Sequence, residues 1–132
     1  MKKLVLVLTT GIALAVSAAA NAYDGCKHPT TAYDETYCIG KLFIESDKEL
    51  NDTYNSLSKS LQGEVKKSLI RAQKKWITYR NDKCSDSGRI LVQCNYDVNK
   101  AREAFLRDRL RECKTGHCQN DLIAKAEFTS VS

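Results

Sequence analysis

The sequence predicts an all-α fold, a small disulfide-stapled bundle of three main helices plus a short C-terminal helix. Three observations carry this expectation. Helix breakers are nearly absent from Tyr33 to Cys113, and Pro29 is the sole proline of the 132-residue chain. Apolar residues in that stretch recur at three- and four-residue spacing, the period of a helix with one face inward. The six cysteines fall near the expected helix ends, where local cross-links can pin a small core.

The first helix is expected over about residues 33–61. Thr31 with Asp34 three positions on can form a capping box at its start. Ile39, Leu42, Phe43, Leu50, Tyr54, Leu57 and Leu61 make its apolar stripe. Gly63 interrupts the pattern, and a second helix follows over about 64–83 with Val65, Leu69, Ala72, Trp76 and Tyr79 on one face. So short a break predicts an antiparallel hairpin of the two. Residues 85–93, SDSGRILVQ, read as a loop whose Ile90, Leu91 and Val92 cover an end of the core. A third helix is expected over about 97–112, with Val98, Ala101, Phe105 and Leu110 inward, and then a short helix bearing Leu122, Ile123 and Ala126.

The ends bound the compartment. Lys2 and Lys3, the apolar run from Leu4 to Val16, and the small-x-small triplet Ala20-Asn21-Ala22 form a signal peptide pattern, with cleavage expected after Ala22. Residues 1–22 are thus a leader and 23–132 one exported domain, with no membrane span after cleavage. Cys26 follows Tyr23-Asp24-Gly25, which is not a lipid-attachment pattern. Export and an even number of cysteines imply disulfides in an oxidising compartment, the periplasm or the outside. Six cysteines admit many connectivities; the spacing favours the local pairs Cys26–Cys38, Cys84–Cys94 and Cys113–Cys118. Each such loop contributes about 2–3 kcal/mol in the chain-entropy model. Together they rival the net stability of a small domain.

Two of the 21 basic residues lie in the leader, so 19 face 16 acidic ones and the exported domain carries about +3. That mild charge, with export, argues against a nucleic-acid partner. An acidic partner remains compatible with it. The acids are scattered among lysines along helices, the pattern of a solvated face. With only His28 and His117 and no nucleophile motif or phosphate loop, the sequence offers no catalytic constellation. The histidine and cysteine spacings match no zinc framework, so no metal or cofactor is expected.

Three segments carry a resemblance: ESDKELNDTYNSL (45–57), LIRAQKKWITYRNDKC (69–84) and NKAREAFLRDRL (99–110). They resemble the lysozyme-inhibitor LprI-like family over about residues 26–112. The shared positions are Asp47, Glu49, Leu50, Asn51 and Tyr54; Ala72, Gln73, Trp76, Tyr79, Arg80 and Cys84; Cys94; and Arg102 and Leu106. The family's threonine three residues before Arg102 is Asn99 here. The Cys84–Cys94 loop is shorter than the family's usual one. Cys113, Cys118 and the tail lie past the shared motifs. The resemblance implies an exported helical domain, in some members an inhibitor of lysozyme. The motif residues are expected to build the scaffold: Trp76 in the core, Arg80 paired with Asp47 or Glu49, Gln73 and Asn51 bridging helices.

One stretch lies outside that scaffold, Cys113-Lys114-Thr115-Gly116-His117-Cys118. As a staple it ends a helix, with Gly116 at a left-handed position and Lys114 at the negative end of the helix dipole. As a stiff cationic finger it enters the acidic cleft of a lysozyme. Lys114 and His117 would then meet the catalytic carboxylates, and Gly116 would allow close approach. The loop is similar to the C-K-P-H-D-C inhibitory loop of the unrelated Ivy inhibitors. Two partner classes stay open: lysozyme, or another envelope protein bound by a non-enzymatic module such as an immunity protein against a secreted toxin. In the second case the patch Arg107, Arg109 and Arg111 on the third helix is the candidate surface.

Overall fold

The computed structural model describes Cys26 and residues 30–126. The expected leader and its cleavage site, with His28 and Pro29, lie outside these residues. Four helices and one minimal hairpin follow in order: α1 (Ala32–Ser60), α2 (Gly63–Lys83), β1 (Ser85–Asp86), β2 (Arg89–Ile90), α3 (Val92–Lys114) and α4 (Asn120–Ile123). None of the helices among the described residues is long and apolar enough to cross a membrane.

The α1 start is the capping box read from the sequence. Thr31 Oγ1 accepts from the Asp34 backbone N–H at 3.0 Å and donates to the Asp34 carboxylate at 2.8 Å. Thr30 Oγ1 donates to the same carboxylate at 2.6 Å, and these bonds hold the Asp34 pKa below its ordinary 3.8. The α1–α2 break is two residues, Leu61 and Gln62, after which Gly63 opens α2 with φ +58°.

The core gathers Leu50, Leu57, Leu61, Leu69, Trp76, Leu106 and Ile123, with Tyr54, Val65, Tyr79, Val98, Phe105, Leu110 and Cys113 packed around it. Burying each large apolar side chain stabilises the fold by about 1.5–3 kcal/mol. Ile123 is wholly buried, so α4 closes the bundle despite its four residues.

As expected, α2 lies antiparallel to α1, but the tightest helix pair is α1 with α3, which run parallel, and α2 is farther from both. The cause is side-chain size. Short Ser46 and Asn99 meet between α1 and α3, whereas Trp76, Gln73, Arg80 and Arg102 fill the space toward α2. Two expectations need correction, and the first concerns residues 85–91. Ser87 and Gly88 both take positive φ, +49° and +79°, and turn the chain in a two-residue hairpin with Ser85 opposite Ile90. That hairpin stands outside the bundle, so Ile90 and Leu91 are exposed and do not cover the core. Second, α3 starts at Val92, five residues before the expected Asp97. The tight turn and the Cys84–Cys94 disulfide deliver the chain to α3 early, and Asn95 caps the junction by donating to the carbonyls of Cys84 and Leu91 at 3.3 and 2.9 Å.

Candidate functional site

The α3 C-terminus is where the two readings of CKTGHC meet. Thr115 is the C-cap, and Gly116 takes φ +81°. The His117 N–H donates to the Glu112 carbonyl at 2.9 Å, and the Gly116 N–H to the Cys113 carbonyl at 3.1 Å. This is the paired-bond ending that a left-handed glycine allows. The Thr115 hydroxyl adds a bond to the Glu112 carbonyl at 2.9 Å. Cys113, half-buried against the core, is joined to the exposed Cys118. The turn is therefore held at both ends and along its backbone.

Its side chains are the other half of the picture. Lys114, Gly116 and His117 are all exposed. Neither Lys114 nor His117 has a side-chain hydrogen bond or ion pair within the described residues. A staple that only ended a helix would leave the same backbone. Two free cationic or hydrogen-bonding tips on a pinned turn also make a preorganised docking element.

The motif residues lie elsewhere, between the helices. Arg80 donates through one nitrogen to Asp47 at 3.1 Å and Asn99 at 3.0 Å, and its guanidinium lies 5.3 Å from the Trp76 ring centroid. Glu49 instead takes Lys100, at 2.6 Å. Gln73 bridges α2 and α3 by accepting from Arg102 Nε at 3.1 Å. Asn51 does not bridge helices: it is exposed and bonds only to Asp47 one turn earlier, at 3.3 Å. Leu50 is in the core, and Tyr54 and Tyr79 pack against it.

Arg102 is the unusual member. It is fully buried with no carboxylate partner among the described residues, and burial pushes its pKa down to about 10. The guanidinium is sandwiched 5.7 Å from Trp76 and 5.2 Å from Phe105, and Nη1 donates to the Lys125 carbonyl at 3.0 Å. Its Nη2 and the Trp76 indole N–H find no hydrogen-bond partner among the described residues. Arg102 thus ties α2, α3 and the segment after α4 together.

The arginine patch proposed for an alternative partner is internally neutralised. Arg107 pairs with Glu103 at 3.2 Å, Arg109 with Glu112 at 2.6 Å and Arg111 with Asp108 at 2.7 Å. The sequence reading missed the buried polar layer of Ser46, Asn99 and Glu103, whose Oε1 accepts from Thr53 at 3.0 Å. The available signal was that Asn95, Asn99 and Arg102–Glu103 recur at helical spacing on one face of α3.

The model of the family described as lysozyme inhibitor LprI matches residues 26–126. The matched stretch takes in all three disulfides and the 113–118 turn, extending past the motifs at 26–112. No curated protein and no solved structure matches the chain. With its motif residues forming the helix interfaces and the family model spanning the helical domain, the chain belongs to the lysozyme inhibitor LprI family.

Proposed function

We propose that this protein is exported to the periplasm, after removal of residues 1–22, and there protects peptidoglycan by plugging the active cleft of a lysozyme. The observation that carries this reading is the pinned, exposed 113–118 turn with Lys114 and His117 unpaired among the described residues, on a chain of a lysozyme-inhibitor family. A glycoside hydrolase cleft holds two carboxylates about 5–10 Å apart. Lys114 supplies an ammonium donor to one of them, and charge-assisted bonds of this kind are the strong ones. His117, two residues past the helix cap, reaches the second. Gly116 presents bare backbone between them. The disulfide removes the ordering cost that would otherwise subtract from affinity.

The test is titration of the oxidised, exported protein into wall-lysis assays with chicken-type, goose-type and invertebrate-type lysozymes. Saturating inhibition of one type near stoichiometric concentration is expected. Lys114→Ala combined with His117→Ala should weaken that inhibition at least about tenfold, the loss of one or two charged hydrogen bonds. Full inhibition by the double variant would overturn the site. Absence of inhibition with every enzyme type would overturn the function.

A further inference from the structure

The first half of α1 carries a face that no described residue covers. Tyr33, Tyr37 and Ile44 are 76, 66 and 69 % exposed, and with Gly40 they fall at spacings of four, three and four residues, the seam of a helix pair. Tyr33 and Tyr37 stack with their rings 6.4 Å apart. Tyr37, Gly40, Lys41 and Ile44 stand at i, i+3, i+4 and i+7 and border a shallow groove of about 420 Å³, together with Thr36 and Glu45. Four residues at this spacing form the hole that receives a knob from a facing helix.

Gly40 forms the floor of that hole. It sits in a helix interior, where glycine weakens the helix. A Cβ there would meet nothing within 4 Å, and its φ is not positive. The described residues of the monomer therefore supply no packing or backbone reason for glycine at this position. Close approach of an outside backbone does supply one.

We propose that this face is the interface of a two-fold dimer, α1 packed antiparallel against α1 of a second copy, with the axis near Gly40–Lys41. The stripe is self-complementary in that register. Tyr37 of each copy packs on Ile44 of the other, beside the glycine floor, and Asp34 of each lies opposite the Lys48–Asp52 pair of the other. Lys41, nearest the axis, lies 3.9 Å from Glu45 of its own helix, whose charge offsets part of the repulsion between the two copies. About four turns of helix per copy bury roughly 1,000 Å² in total, the low end for a specific interface, which makes the dimer weak and concentration-dependent. Because α1 and α3 run parallel, the 113–118 turn lies at the opposite end of the bundle. A dimer formed here carries its two turns at its far ends, each free to engage its own lysozyme.

Sedimentation equilibrium of the oxidised exported protein, from low to high micromolar, tests this. A monomer–dimer equilibrium is expected, and Tyr37→Lys and Gly40→Ala should each raise its dissociation constant at least about tenfold, a loss of 1.4 kcal/mol or more. Gly40→Ala is the decisive variant, because it should raise the melting temperature of the monomer while weakening association. A monomer at every concentration overturns the proposal, as does a dimer that both variants leave intact. A monomer that binds glycan strands through Tyr37 also overturns it and assigns the face to sugar stacking.

Discussion

Gly40 and Gly116 offer a comparison in which space is held constant and only backbone conformation differs. At each, a Cβ would meet nothing within 4 Å. Gly116 has φ +81°, whereas Gly40 is in regular helix. An L-residue forced into the left-handed region costs about 1–2 kcal/mol. Alanine also restricts the unfolded chain, which returns about 0.4–1 kcal/mol. Gly116→Ala should therefore destabilise the protein by about 1 kcal/mol net. Gly40→Ala meets no strain and replaces the weaker helix former, so it should stabilise by about 0.5–1 kcal/mol. The two variants differ by about 1.5–2 kcal/mol from backbone alone. Urea unfolding of the oxidised protein, followed by far-UV circular dichroism at sub-micromolar concentration, reads both. With a slope of about 1–2 kcal/mol/M, the two midpoints should separate by about 1 M, on opposite sides of the parent. Gly116→Asn should lie between Gly116→Ala and the parent, since asparagine tolerates this region better. A Gly116→Ala midpoint at or above that of the parent would refute the reasoning, because it would mean that the turn does not hold Gly116 in the left-handed conformation.

Asn99→Ala should cost about 1–3 kcal/mol, since Asn99 is wholly buried and its loss strips partners from Ser46 and Arg80, while Asp47→Ala, at a half-exposed carboxylate, should cost less than about 1; thermal unfolding ranks them. Leu57→Ala removes a side chain with no exposure and should cost about 2–5 kcal/mol, read by the same denaturation curves. Asp34 has a depressed folded pKa, so its capping contribution is fully present above its unfolded value of 3.8 and is lost as pH falls through the lower folded value. Stability measured from pH 6 downward should show this loss in the parent, and Asp34→Asn should flatten that part of the profile. If the profiles of parent and variant coincide, the capping box contributes nothing to acid sensitivity.

Much of the fold was legible because its signals are local. The Thr31–Asp34 cap, the stripe through Leu50 and Leu57, the face of Leu69, Ala72 and Trp76, and the glycine ending at Gly116 each depend on residues within a turn or two of one another. Pairing of Arg80 with Asp47 or Glu49 was legible from the shared motif, and the structure selects Asp47, 33 positions away. The start of α3 and the exposure of Ile90 were not. They follow from how Ser87 and Gly88 turn the chain, and serine gives little warning of a positive φ. Asn51 was misjudged for a related reason: on α1 it points to solvent, one position along from the buried Leu50.

By itself the sequence determined the helical class, the number of main helices, the family and the chemical character of the 113–118 turn, since periodicity, caps and cysteine spacing act over a few residues. Tertiary structure alone decided that α1 lies beside α3, that Arg102 is buried between two aromatic rings without a carboxylate, and that the Tyr33–Ile44 face is left bare. Those outcomes depend on the relative sizes of side chains meeting from different helices: short Ser46 and Asn99 admit one neighbour closely, and Trp76 with Arg80 and Arg102 holds the other away.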